Sequence, residues 1–304
     1  MLDTAPIVVR FLHYGGLSLL FGITAFQLYG YPAKADEAKK LRWRPLLITL
    51  TAFSLIISAI GLIFLSAQMS GSFAAAVRPR VFSHVLATDA GVALIVRTLA
   101  LALCVTLLVG RNPSRPVVHA IVCLAMVSLG SLAWGGHALQ HEGWAGILHL
   151  VADVLHLLSA GAWLGAIAAL LLLIGDHGHP ADSDHISRLS LALRSFSIAG
   201  SAIVATLIVS GIVNAAFIVG WPDFDFLYSR YGQLLGVKLA LFLVMIAFAA
   251  LNRYHLTPQL ERSAARGDCR AAIRTLHRSI AAELFVALTI LGLVAWLGFL
   301  APYD

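Results

Sequence analysis

The sequence predicts an all-α, polytopic membrane protein, a helix bundle with about eight transmembrane helices and both termini on the outer side of the membrane. Three observations carry that reading. Of the 304 residues, 60% are hydrophobic and only 12% charged, against roughly 45–50% and about 25% in soluble domains. A water-soluble fold of this length could not bury so much apolar surface. Apolar stretches of about 20 residues, the length that crosses a bilayer, recur eight times. Finally, Lys and Arg collect in alternate loops, the signature of membrane orientation.

Taken in order, the spans are placed at 6–30, 45–68, 88–110, 116–137, 145–175, 190–220, 232–252 and 279–301. The first, MLDTAPIVVRFLHYGGLSLLFG, lacks the basic n-region and cleavage site of a removed leader and carries Arg10 and His13, so it reads as a retained helix. The third, DAGVALIVRTLALALCVTLLVG, tolerates Asp89 and Arg97. The fifth and sixth are long enough to tilt or to extend beyond the bilayer. Between the spans lie short polar loops with Pro, Gly and charges. Nothing resembles a separate soluble domain, so residues 1–304 are read as a single transmembrane domain.

Fifteen of the 21 Lys and Arg residues fall in or beside loops 1–2, 3–4, 5–6 and 7–8. Only Arg78, Arg80 and Arg230 lie on the opposite side, and Arg10, Arg97 and Lys238 sit within spans. The basic loops therefore face the cytoplasm, and both termini face outward. The net charge of +6 is explained by this orientation, and nucleic acid is not expected as a partner. The three cysteines, Cys104, Cys123 and Cys269, form no zinc or disulfide pattern. Cys104 and Cys123 read as small buried hydrophobes.

Ionisable groups inside a bilayer are costly and are functional candidates. Arg10, His13, Arg97, Lys238 and Asn214 all fall in outer halves of their spans, whereas Glu283 lies in an inner half. The sharpest constellation is GHALQHEGWAGILHLVADVLHLL, residues 136–158. His149, Asp153 and His156 occupy i, i+4 and i+7, within a 60° arc of one helix at 100° per residue. Ala145, Gly146 and Ala160 continue that stripe and leave room for a neighbouring helix. His137 and His141 flank the outer end of the fourth span, and His84 and His13 are further contributors. Imidazole nitrogens with a carboxylate suit copper, zinc or nickel, and an Asp one turn away can hold the second nitrogen of a His. The segment DHGHPADSDH, with His177, His179 and His185, reads as a solvated linker. Four methionines supply no thioether ladder.

These residues resemble the CopD family of copper-resistance membrane proteins across nearly the whole chain. The resemblance rests on the histidine block above and AGAWLGAIAAL at 160–170. It continues in RSFSIAG at 194–200, SGIVNA at 210–215, YGQLLGVK at 231–238 and LNRYHLTP at 251–258. It implies copper handling at the bacterial inner membrane, with uptake from the periplasm toward the cytoplasm and both termini periplasmic. The cargo is then a copper ion. The expected donor is a periplasmic CopC-like copper-binding protein, made as a separate chain. On this reading copper arrives at His137 and His141 and passes to His149 and His156, with Asp153 compensating charge. Arg10, Arg97 and Lys238 tune the site or pair with Asp89 and Asp153. The protein would be a binder and transporter, not an enzyme.

The alternative is a cytochrome b-like haem protein. Stacked haems need ligands on one helix about 20 Å apart, or 13–14 residues, and His149 and His156 are seven apart. A single haem held by His149 or His156 with His13 fits the sequence.

Overall fold

Chain segments this apolar must satisfy every backbone polar group within themselves, which in a bilayer leaves helices or closed barrels. A computed structural model describes residues 4–30, 43–76, 78–110, 114–135, 143–175, 183–220 and 224–301. The described residues are helical throughout, with no strand among them. The elements are α1 (Thr4–Tyr29), α2 (Arg44–Ser70), α3 (Phe73–Ala76), α4 (Pro79–Leu86), α5 (Asp89–Val109) and α6 (Arg115–Gly130). They continue with α7 (Gly143–Gly175), α8 (Ser183–Ile218), α9 (Phe224–Tyr228), α10 (Arg230–Leu251), α11 (Thr257–Ala265) and α12 (Arg270–Leu297). Eight of these are long and apolar enough to cross a membrane: α1, α2, α5, α6, α7, α8, α10 with its continuation, and α12.

The spans match those expected, and the differences lie at their ends. The fourth span is α-helical only to Gly130, after which Ser131–Gly135 tightens into a 3-10 turn. There the Ser131 hydroxyl donates to the Ser128 carbonyl at 2.7 Å. The eighth helix begins at Arg270, well before its apolar core, because polar residues beyond the bilayer can still extend a helix. The seventh does not stop near 252. It runs through a π turn at Asn252–Leu256 into α11.

Helix ends are locally encoded. Thr88 and Ser229 cap α5 and α10 by accepting from the backbone N–H of Gly91 and Gly232 at 3.2 and 3.0 Å. Pro45, Pro79 and Pro116 open α2, α4 and α6, where no N–H is needed. Two arginines join helix ends across the bundle. Arg44, at the start of α2, donates to the terminal carbonyls Leu108, Val109 and Gly110 of α5 at 2.5, 2.7 and 2.8 Å. Arg10, near the start of α1, donates to the Gly298 carbonyl at 2.9 Å, placing the first and last spans at one end together.

The core runs along α1 and α7. Gly22 packs backbone to backbone against Gly161 and Gly165, where a Cβ would collide with main-chain atoms of the facing helix. This is the close approach that small residues four apart permit in membranes. Leu17, Leu20, Phe26, Leu129, Ile167 and Leu170 fill the interior around it. Large apolar side chains such as Leu99, Ile212 and Phe285 point outward, as a lipid-facing surface requires.

Candidate metal-binding site

Helix α7 carries the histidine stripe. His149 is buried, and its ring stacks on Phe217 of α8 with centroids 4.9 Å apart and planes 9° apart. Two turns deeper, His156 Nδ1 lies 3.0 Å from Ser210 Oγ. The Ser210 hydroxyl donates its own proton to the Thr206 carbonyl at 2.5 Å. It therefore accepts from His156 Nδ1–H, which leaves the lone pair on Nε2. Asp153, between the two histidines, accepts from Asn214 Nδ2 at 3.3 Å. Lys238 of α10 acts electrostatically on the same carboxylate.

Arg10 and Arg97 are engaged elsewhere. Arg10 bonds Gly298 and lies against the rings of Tyr14 and Phe299, 5.5 Å from each centroid. Arg97 is only 7% exposed. Its Nε donates to Ser131 Oγ at 2.8 Å and its Nη1 to His13 Nε2 at 3.3 Å, while His13 Nε2 also lies 3.0 Å from Ser58 Oγ.

The structure brings together only part of the predicted set. His149, Asp153 and His156 share the face of α7 that meets α8. His13 belongs to a second polar cluster, formed with α2, α5 and the 3-10 turn, and its Nε2 lone pair accepts from Arg97 Nη1, since the Ser58 hydroxyl donates to the Ser54 carbonyl. A guanidinium only donates, so that nitrogen is not available to a metal. His13 and His149 thus turn to different neighbours. His84 is exposed on the short helix α4. His137 and His141 lie outside the described residues, as do His177 and His179. Among the described residues, no group of three or more His, Cys, Asp or Glu side chains is gathered to hold a metal ion. Two imidazoles and a carboxylate are instead strung in a row along about 10 Å of helix.

Residues 1–147 match the family described as copper resistance protein D-like, N-terminal domain, and residues 190–297 match copper resistance protein D. Copper resistance protein D of Pseudomonas syringae pv. tomato is 37% identical over 99% of this chain and 98% of its own length. The chain belongs to the copper resistance protein D family. Inner membrane protein YebZ of Escherichia coli K12 is 29% identical over 86% of this chain and 88% of its own. Copper transport protein CutJ of Bacillus subtilis 168 is 30% identical over 80% of this chain and 45% of its own. No solved structure matches significantly. With eight apolar spans and these relatives, the chain is a multi-pass protein of the inner membrane.

Within this copper resistance family member, sequence reasoning missed Ser210, Phe217, Ser58 and Ser131, the residues that aim the polar groups. Ser210 and Ser58 stand one per turn in apolar runs, where a hydroxyl can simply bond its own helix. Their role shows only when neighbouring helices are known.

Proposed function

We propose that this protein binds copper in the outer half of the membrane and carries it across the inner membrane toward the cytoplasm. The observation that supports this most is the single-faced row His149, Asp153, His156, with His156 Nε2 free of its proton. Imidazole nitrogen is a good copper ligand, and the hydrogen bond on the opposite nitrogen fixes its tautomer. The Asp153 carboxylate supplies a negative charge beside an arriving copper ion, which limits the charge that builds up in the bilayer. Ligands in a row suit cargo that must leave again. The family context supports the cargo: relatives are named for copper resistance and copper transport.

The same reading makes residues 1–304 one transmembrane unit that binds and transports without catalysis. Both termini and loop 4–5 lie in the periplasm, where His137 and His141 receive copper from a CopC-like donor. His84 and His13 are secondary, His84 as a surface contact and His13 as a partner of Arg97.

The test is copper stoichiometry and affinity of purified protein. His149→Ala and His156→Ala should each weaken binding by more than the 10–100-fold typical of losing an outer-shell partner. Asp153→Asn should cost less, and His185→Ala should change nothing. Equal binding in wild type and the His149/His156 double variant would overturn the site. A stoichiometric Soret band lost on His149→Ala would replace copper with haem.

A further inference from the structure

Trp163 lies ten residues beyond Asp153 on α7, about 15 Å deeper at 1.5 Å per residue. Its indole Nε1 donates to Glu283 Oε1 of α12 at 2.8 Å. Asn252 Nδ2, at the first residue of the π turn, donates to Glu283 Oε2 at 2.9 Å. Glu283 is only 2% exposed, and among the described residues no basic side chain lies within ion-pair distance of it. Asn252 is 8% exposed, and its Oδ1 is buried with no hydrogen-bond partner among the described residues. Both residues line a cavity of about 340 Å³ between α7, α8, α10 and α12. The cavity also reaches Ser201 and Arg253, both exposed. Arg253 Nη1 spans its rim, donating to the Ser197 carbonyl at 3.1 Å and Ser201 Oγ at 2.6 Å. One turn before Ser197, the exposed Arg194–Glu261 ion pair at 2.7 Å marks the aqueous boundary at the end carrying the basic loops.

We propose that Glu283, paired with Asn252, is a proton-binding site loaded and unloaded through this cavity. The ligands on offer are carboxylate, amide and hydroxyl oxygens, without imidazole or thiolate, so copper is not the natural occupant. The guanidinium at the rim also opposes entry of a metal cation, whereas water can relay a proton past it. An amide beside a carboxyl serves both protonation states. With Glu283 ionised, Asn252 donates through Nδ2. When cavity water gives a proton to Oε2, rotation of the amide lets Oδ1 accept the new O–H, and the reverse step returns the proton to water. The π turn sets Asn252 at this point, where such turns often mark functional positions.

The groups that titrate and share the cavity with Glu283 are Arg253 and Tyr254 of the π turn. Helix α7 brings Trp163, Ile167 and Leu170, α8 brings Phe196, Ser197 and Ser201 among others, and α11 brings Thr257. None of these titrates, and α1, which also packs on α12, contributes no residue to the cavity. The assignment of a proton site stands independently of the cargo; coupling it to copper movement rests on the proposed function.

The test is infrared difference spectroscopy of the full-length protein in liposomes as pH is stepped. Wild type should gain the C=O stretch of a buried carboxylic acid on acidification, with the band shifting in heavy water. Glu283→Gln, which keeps the shape and, once the Asn252 amide turns so that Oδ1 accepts, a partner at each end, should lack that band, while Glu261→Gln should retain it. Trp163→Phe should move its frequency, because one donor to the carboxyl is gone. An unchanged spectrum in Glu283→Gln would overturn the proposal. So would a carboxylate stretch that responds to sodium or potassium and not to pH, since the site would then hold a metal cation. Copper binding is measured on the same samples. Glu283→Gln should bind copper as wild type does, and absence of copper from wild type would count against the copper site alone.

Discussion

A lysine and an aspartate in a bilayer stabilise each other chiefly by sparing one another an uncompensated charge. Lys238→Met therefore does more than remove a contact, because it takes a nearby positive charge away from the Asp153 carboxylate. The single variant should unfold at lower temperature than wild type. Lys238→Met with Asp153→Asn should recover much of the loss, with a coupling of roughly 0.5–3 kcal/mol, as for interacting neighbours. If copper occupies the His149–His156 row, added copper should restore Lys238→Met more than it stabilises the double variant, since a ligand stabilises the state it binds. Thermal unfolding with and without copper reads all three. No coupling between the two positions would show that Lys238 serves some other group.

Among the elements, α1 and α7 have the least room to change. A Cβ on Gly165 meets the backbone of Gly22, which no rotamer can relieve. Gly165→Val should cost at least the 1–3 kcal/mol typical of overpacking, seen as a lowered unfolding temperature. Gly236→Ala in α10 has nothing within 4 Å of the added methyl. It should be neutral or slightly stabilising, because alanine is the better helix former. The spans were legible because crossing a bilayer is a one-dimensional demand on length and polarity. The stripe on α7 was legible because i, i+4 and i+7 share a face on any helix. By contrast, Phe217 over His149, Ser210 beside His156 and Ser131 under Arg97 depend on which helices adjoin. No spacing within one helix carries that. Glu283 stood out as an intramembrane acid, yet its partners Trp163 and Asn252 lie 120 and 31 residues away in sequence. The π turn left no mark of its own: the apolar run ends at Leu251, and NRYHL at 252–256 reads simply as the polar edge of the span.

For the whole molecule, the two polar regions lie at different depths: a nitrogen-bearing site toward the end of few basic residues, and an oxygen-bearing site toward the end of many. That polarity has meaning only once the orientation is known. Reporter fusions at residue 304 and within 262–278 should place the first in the periplasm and the second in the cytoplasm, as the fifteen-to-three distribution of basic residues requires. A periplasmic reporter active between 262 and 278 and silent at residue 304 would reverse the direction of every step proposed above.

The bond from Arg10 to the Gly298 carbonyl makes the bundle a closed loop in space, although the chain itself is open. Residue 10 and residue 298 are already neighbours, so a short linker joining those two positions would span little distance and would lie on one side of the membrane. The chain could then be cut between Gly220 and Phe224, on that same side, without inverting any helix. The order in which helices leave the ribosome would change, while the arrangement they must reach would not. For this bundle, the sequence of insertion and the map of neighbours are thus separable properties.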